Sequence, residues 1–107
     1  QFLINQGSIT ADDNPDVFLV RLSQGKLPVP GQVTSILLSL KVVFEGLREA
    51  PNLDRELVYA LHLLASEGRY QFDIKQSEGL TWPPLLDEDL TRIAAAVRSI
   101  FANTWLG

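Results

Sequence analysis

Apolar residues recur at three- and four-residue spacing along four stretches of this chain, and no stretch alternates apolar and polar positions for more than a few residues. Period 3.6 without period 2 predicts helices and no strand. The most apolar stretch is Gln32 to Glu49. There Val33, Ile36, Leu37, Leu40, Val43, Phe44 and Leu47 fall on one face of a helix. The spacing predicts helices near 15–24, 32–49, 53–76 and 87–104. Together they make an all-α bundle of about four helices, folded as a single domain over residues 1–107.

Punctuation between these stretches sets the ends. Phe2, Leu3 and Ile4 before Gly7 read as the last turn of a helix that begins before Gln1 and closes on a glycine C-cap. Asn14 can cap the next helix, Pro15 suits its first turn, and Asp16 faces the positive end of its dipole. That helix stops at Gly25 and is too short to stand alone, so it must dock. Pro28 and Pro30 forbid helix in Lys26 to Gly31 and make a stiff strap, which Leu27 and Val29 are expected to pin onto the core. Pro51 ends the central helix, and Asn52 or Asp54 caps the long one after it. The short link between these two predicts that they pack as an antiparallel hairpin. Gly68 lies inside the long helix, where it costs about 1 kcal/mol relative to Ala, so a bend or a close contact is expected there. The last helix opens at Asp87, Glu88 and Asp89 and frays around Trp105 and Gly107. Leu40, Phe44, Leu61, Leu64, Ile93 and Val97 are the expected core.

Composition narrows the function classes. Net charge is −4 and the pI about 4.8, which disfavours nucleic-acid backbones and anionic membrane surfaces as partners. No apolar run approaches the ~18 residues of a membrane-spanning helix, so no membrane insertion is expected. The absence of Cys excludes disulfides, thiolate nucleophiles and thiolate metal sites, and fits a cytoplasmic setting.

No catalytic, cofactor-binding or metal-ligating set stands out. Asp87, Glu88 and Asp89 point about 100° apart on a helix, so they do not converge on one ion and suit the positive end of the dipole better. His62 falls on a polar face with Arg55, Tyr59, Ser66 and Arg69, without a visible carboxylate or nucleophile to complete a triad. Gly25-Lys26 fails the phosphate-loop pattern, because Val20 and Leu27 stand where Gly and Ser or Thr are required. Tyr70 and Trp105 lie near helix ends and read as core edges. Trp82-Pro83-Pro84 could either lid the core or present a rigid aromatic anchor to a partner.

Two blocks, NPDVFLVRLSQGKLPVPGQVTSILLSLKVVFEGL over 14–47 and WPPLLDEDLTRIAAAVRSIF over 82–101, resemble a family of small cyanobacterial proteins commonly labelled dethiobiotin synthetase. That label implies an ATP-dependent ligase of biotin synthesis. Enzymes with that activity resemble much longer P-loop α/β proteins, and neither the loop nor a sheet is legible here. No catalytic residue carries over, and the resemblance implies only a cyanobacterial, cytoplasmic origin.

The expectation that remains is a non-enzymatic helical module for protein–protein interaction. Its surface is drawn from the back of the central helix: Ser35, Ser39, Val42 and Gly46 at spacings of four, three and four, with Leu38 beside them, and from Trp82 in the Ser77 to Pro84 turn before the last helix. Small residues there let another helix approach closely. That helix could belong to this chain, with the long and last helices embracing the central one, or to a second copy in a homodimer. The alternative is a small metabolite-binding domain or enzyme with a site near Trp82 and the long third helix, around His62, Arg69 or Tyr70.

Overall fold

A computed structural model of the chain describes residues 17–106. Among them are four helices and no strand: α1 (Phe18–Ser23), α2 (Gln32–Gly46), α3 (Arg55–Ser77) and α4 (Pro84–Ala102). The expected helix end at Gly7 and the expected caps Asn14, Pro15 and Asp16 lie outside the described residues.

The helix ends follow local chemistry. The Asp54 carboxylate accepts the Leu57 N–H at 3.0 Å, so Asp54 rather than Asn52 caps α3. Gly25 and Gly79, both at positive φ, follow the ends of α1 and α3. There the Lys26 and Leu80 N–H groups reach back to the carbonyls of Arg21 and Lys75. α4 begins three residues before the acidic run. Pro84 can occupy its first turn because that position needs no N–H partner, and Pro83 supplies an extended residue before it. α2 ends at Gly46, short of the expected 49, and Glu49 takes a positive φ of 62° in the turn that follows.

α4 is the middle of the bundle. It packs on α2 at one flank and on α3 at the other, while α1 docks on α3. α2 and α3 run in opposite directions but are not the close pair that their short link predicted. α4 lies between them, antiparallel to α3 and parallel to α2. The run Ala94-Ala95-Ala96 on α4 presents little bulk, and lets a helix approach on either side. The core takes residues from all four helices: Phe18, Leu19 and Leu22; Ile36, Leu40 and Phe44; Leu61, Leu64 and Phe72; Leu86, Leu90, Ile93 and Val97. Every one of the six expected core residues is buried.

Gly68 marks the meeting of three helices. A Cβ built there would lie 3.3 Å from Leu90 Cδ2 of α4 and 3.6 Å from Leu19 Cδ2 of α1. The glycine therefore serves a close contact. α1 is short but buries Phe18, Leu19, Val20 and Leu22 almost completely, which gives it the tertiary anchorage its length cannot supply.

The strap is fixed differently from expectation. Leu27 is 51% exposed and does not pin the core. Instead the Arg21 side chain donates to the Leu27 carbonyl, and the Gln32 side chain accepts the Val29 N–H at 3.0 Å. With two prolines already limiting the backbone, these polar ties hold the strap without burying Leu27.

The tail after α4 is also folded back instead of frayed. Asn103 turns the chain in the left-handed conformation, and its Oδ1 accepts the Glu49 N–H at 2.7 Å. The buried Ser99 hydroxyl accepts the Leu106 N–H at 2.7 Å and donates to the Ala95 carbonyl. Trp105 is thereby laid edge-on against Phe44, with ring centroids 5.2 Å apart.

Candidate interaction face

The outer surface of α2 carries large apolar side chains that no other described residue covers. Leu38 is 64% exposed and Val42 70% exposed. Ser35 and Gly46 are exposed as well, and Ser39 is half-buried. Five of the six expected interaction residues therefore share one face. The intramolecular embrace considered for that seam does not occur, because α4 covers only one flank of α2 and α3 stays beyond it.

The sixth residue, Trp82, is elsewhere and inside. It is 6% exposed, stacks on Phe72 at 5.8 Å between centroids, and donates its indole N–H to the Phe72 carbonyl at 3.0 Å. Pro83 and Pro84 hold it over the end of α3. A ring packed and hydrogen-bonded in this way is a core lid, not a surface anchor.

Beside the seam, on the flank where α2 meets α4, runs an open groove of about 510 Å³. Leu37 of α2 with Ala95 and Ala96 of α4 form its floor. Alanine leaves the groove open, since longer side chains at 95 and 96 would fill it. Leu38 and Lys41 stand on one rim and Thr91 and Arg92 on the other, with Trp105 at the end. Lys41 reaches over the Trp105 ring at 4.0 Å and lies 3.6 Å from Glu45. Arg92 lies 3.8 Å from Glu88 and 3.9 Å from Asp89. Long, exposed pairs of this kind contribute between about 0 and 1 kcal/mol each.

The long third helix offers a different arrangement. Arg69 contacts Asp87 at 2.7 Å and also donates to the Asp87 carbonyl and the Thr91 hydroxyl. Asp87 therefore clamps α4 to α3 as well as sitting in the first turn of α4. Arg69 borders a smaller cavity of about 270 Å³ with Thr91 and Arg98, floored by Ala94 and Ala95. His62 is exposed, with the Ser66 hydroxyl 3.4 Å from its Nε2; that hydroxyl donates to the His62 carbonyl at 2.8 Å. Its contacts are those of a surface group on its own helix. Tyr70 is 57% exposed, so it is not the core edge the sequence suggested.

The groove was not legible in advance. Its rim residues Lys41 and Arg92 belong to helices far apart in sequence, and its end wall exists only because Asn103 turns the tail back. The one local hint was the alanine triplet at 94–96, which removes bulk from a helix that must pack on both sides.

No family model matches this chain, and no curated protein or solved structure matches it either. Among the described residues, no helix is long and apolar enough to cross a membrane.

Proposed function

We propose that this protein is a non-enzymatic helical interaction module, with the outer face of α2 as its binding surface. The observation that carries this reading is the pair Leu38 and Val42, 64% and 70% exposed and one helical turn apart on the same face of α2. Leaving two large aliphatic side chains in water forgoes roughly 1.5–3 kcal/mol for each, which a partner would recover. Around them Ser35, Ser39 and Gly46 keep the surface low, so a second helix can lie close.

The partner with the fewest requirements is a second copy. A two-fold axis across α2 would set the Ser35–Gly46 seam against itself and cover Leu38 and Val42 in both subunits. Light scattering at tens of micromolar tests this homodimer directly. Ser39→Arg puts a long charged side chain into a half-buried surface position, and should leave a folded, monomeric protein. A monomer without the substitution ends the dimer reading. A cytoplasmic, cyanobacterial setting accompanies this proposal and rests on the resemblance of residues 14–47 and 82–101 alone. The metabolite-binding alternative would show itself as a melting shift of several degrees with a nucleotide or biotin precursor, without any change in mass.

A further inference from the structure

The residues that follow α4 return to α2 on a small set of contacts. The Glu49 N–H donates to Asn103 Oδ1 at 2.7 Å, the Leu106 N–H to Ser99 Oγ at 2.7 Å, and the Thr104 N–H to the Ser99 carbonyl at 3.2 Å. The Trp105 indole has the Phe44 ring edge-on at 5.2 Å and the Lys41 ammonium 4.0 Å from its centroid. Among the described residues, these bonds and ring contacts reach only α2, the turn after it and the last turn of α4.

Burial adds little to them. Trp105 stays 38% exposed and Leu106 52%, whereas Ile36, Leu40, Ile93 and Val97, where α2 and α4 meet the core, are at most 3% exposed. Parting the tail from α2 therefore wets far less apolar surface than parting α2 from α4. Strain gathers at the same place. Among the described residues, Glu49 at φ 62° and Asn103 at φ 58° are the two non-glycine residues at positive φ. One hydrogen bond joins them. The left-handed conformation crowds a Cβ, for Glu more than for Asn, and both residues are free to leave it once that bond breaks.

We propose that residues 103–106 form a latch on the α2–α4 groove, leaving and returning as one unit while the four helices stay folded. Trp105 is the end wall of the groove. With the latch open, the α2 side of the groove continues from Lys41 to Phe44, about 4.5 Å further along the helix. The latch goes beyond the reading of α2 as an interaction face, and holds whether or not that face has a partner.

Amide hydrogen exchange tests it, because Glu49 and Leu106 are far apart in sequence and each N–H is bonded across the latch. Corrected for intrinsic rate, the two should exchange within about twofold of each other, and at least about 100-fold faster than Leu64 and Ile93. Their exchange should not respond to urea below the unfolding transition, since opening exposes little surface. Ser99→Ala removes the acceptor of the Leu106 N–H, yet should also speed Glu49 exchange at least about fivefold. Trp105→Ala should bring both amides close to the rate of an unstructured chain, while Leu64 and Ile93 remain at least about 100-fold slower. The dye anilinonaphthalene sulfonate, which brightens on exposed apolar surface, should emit at least about twofold more strongly with Trp105→Ala than with the parent. Exchange of Glu49 and Leu106 at the rate of Leu64 would mean that the tail leaves only when the protein unfolds, and would overturn the latch. Glu49 exchange unmoved by Ser99→Ala would mean that the two ties break separately, and would overturn it as well. An unchanged dye signal in Trp105→Ala would overturn the lengthening of the groove.

Discussion

Gly68 gives the most searching test of the packing. In a helix interior, Gly→Ala gains about 1 kcal/mol of backbone propensity. Here the new methyl would sit 3.3 Å from Leu90 Cδ2, so Leu90 must yield by a few tenths of an ångström, while Leu19 at 3.6 Å and Phe18 at 3.8 Å are ordinary contacts. The gain and the crowding nearly cancel, and Gly68→Ala should stay within about 1 kcal/mol of the parent. Gly68→Val is different. Its two further methyl groups have nowhere to go among Leu19, Leu90 and Phe18, and overpacking of this kind costs about 1–3 kcal/mol. The two variants should therefore differ by about 2 kcal/mol, or roughly 8 °C in melting temperature for a domain of this size. Urea titrations read the same difference as a shift in midpoint at constant slope. Leu90→Val, which shortens the opposing side chain, should cost about 1 kcal/mol alone but less in the Gly68→Val background. Equal stability of Gly68→Ala and Gly68→Val would show that α1 and α4 do not converge on this turn of α3.

Three further outcomes are expected. Leu40→Ala or Leu64→Ala, each removing a fully buried side chain, should cost about 2–5 kcal/mol in urea titrations, whereas the surface substitution His62→Ala should cost under about 0.5 kcal/mol. Trp82→Phe removes the hydrogen bond to the Phe72 carbonyl and part of the stack. It should cost about 2 kcal/mol, and leave tryptophan fluorescence to the more exposed Trp105, red-shifting the emission. Asn103→Ala loses the tie to the Glu49 N–H and also forces Ala into the left-handed region, for a loss of about 2 kcal/mol; Asn103→Gly keeps the backbone geometry and should cost under about 1 kcal/mol.

The helical class, the core and several ends were determined by the sequence itself, because they depend on groups near one another along the chain. The 3.6-residue spacing placed Leu40, Phe44, Leu61, Leu64, Ile93 and Val97 inward, and all are buried. Asp54 was one of two candidate caps. Both were polar and well spaced, and only the backbone geometry of the turn selected it. The glycine at 68 announced either a bend or a close contact, and only the approach of Leu90 and Leu19 decided for the contact. Which helix lies beside which was decided in three dimensions. The short link between α2 and α3 suggested a hairpin, but loop length limits only how far apart two helices can be, and α4 fits between them because Ala94, Ala95 and Ala96 let it approach both. The fate of Trp82 rested on whether the Phe72 carbonyl and ring were within its reach. The uncovered face of α2 was legible as a stripe of small residues with Leu38 and Val42. Its exposure was not, since that depends on which side of α2 the last helix takes. The groove beside it is wholly a tertiary product: its rims come from residues about fifty positions apart, and its end wall from a tail that Asn103 and Ser99 fold back by hydrogen bonds to partners that no local pattern specifies.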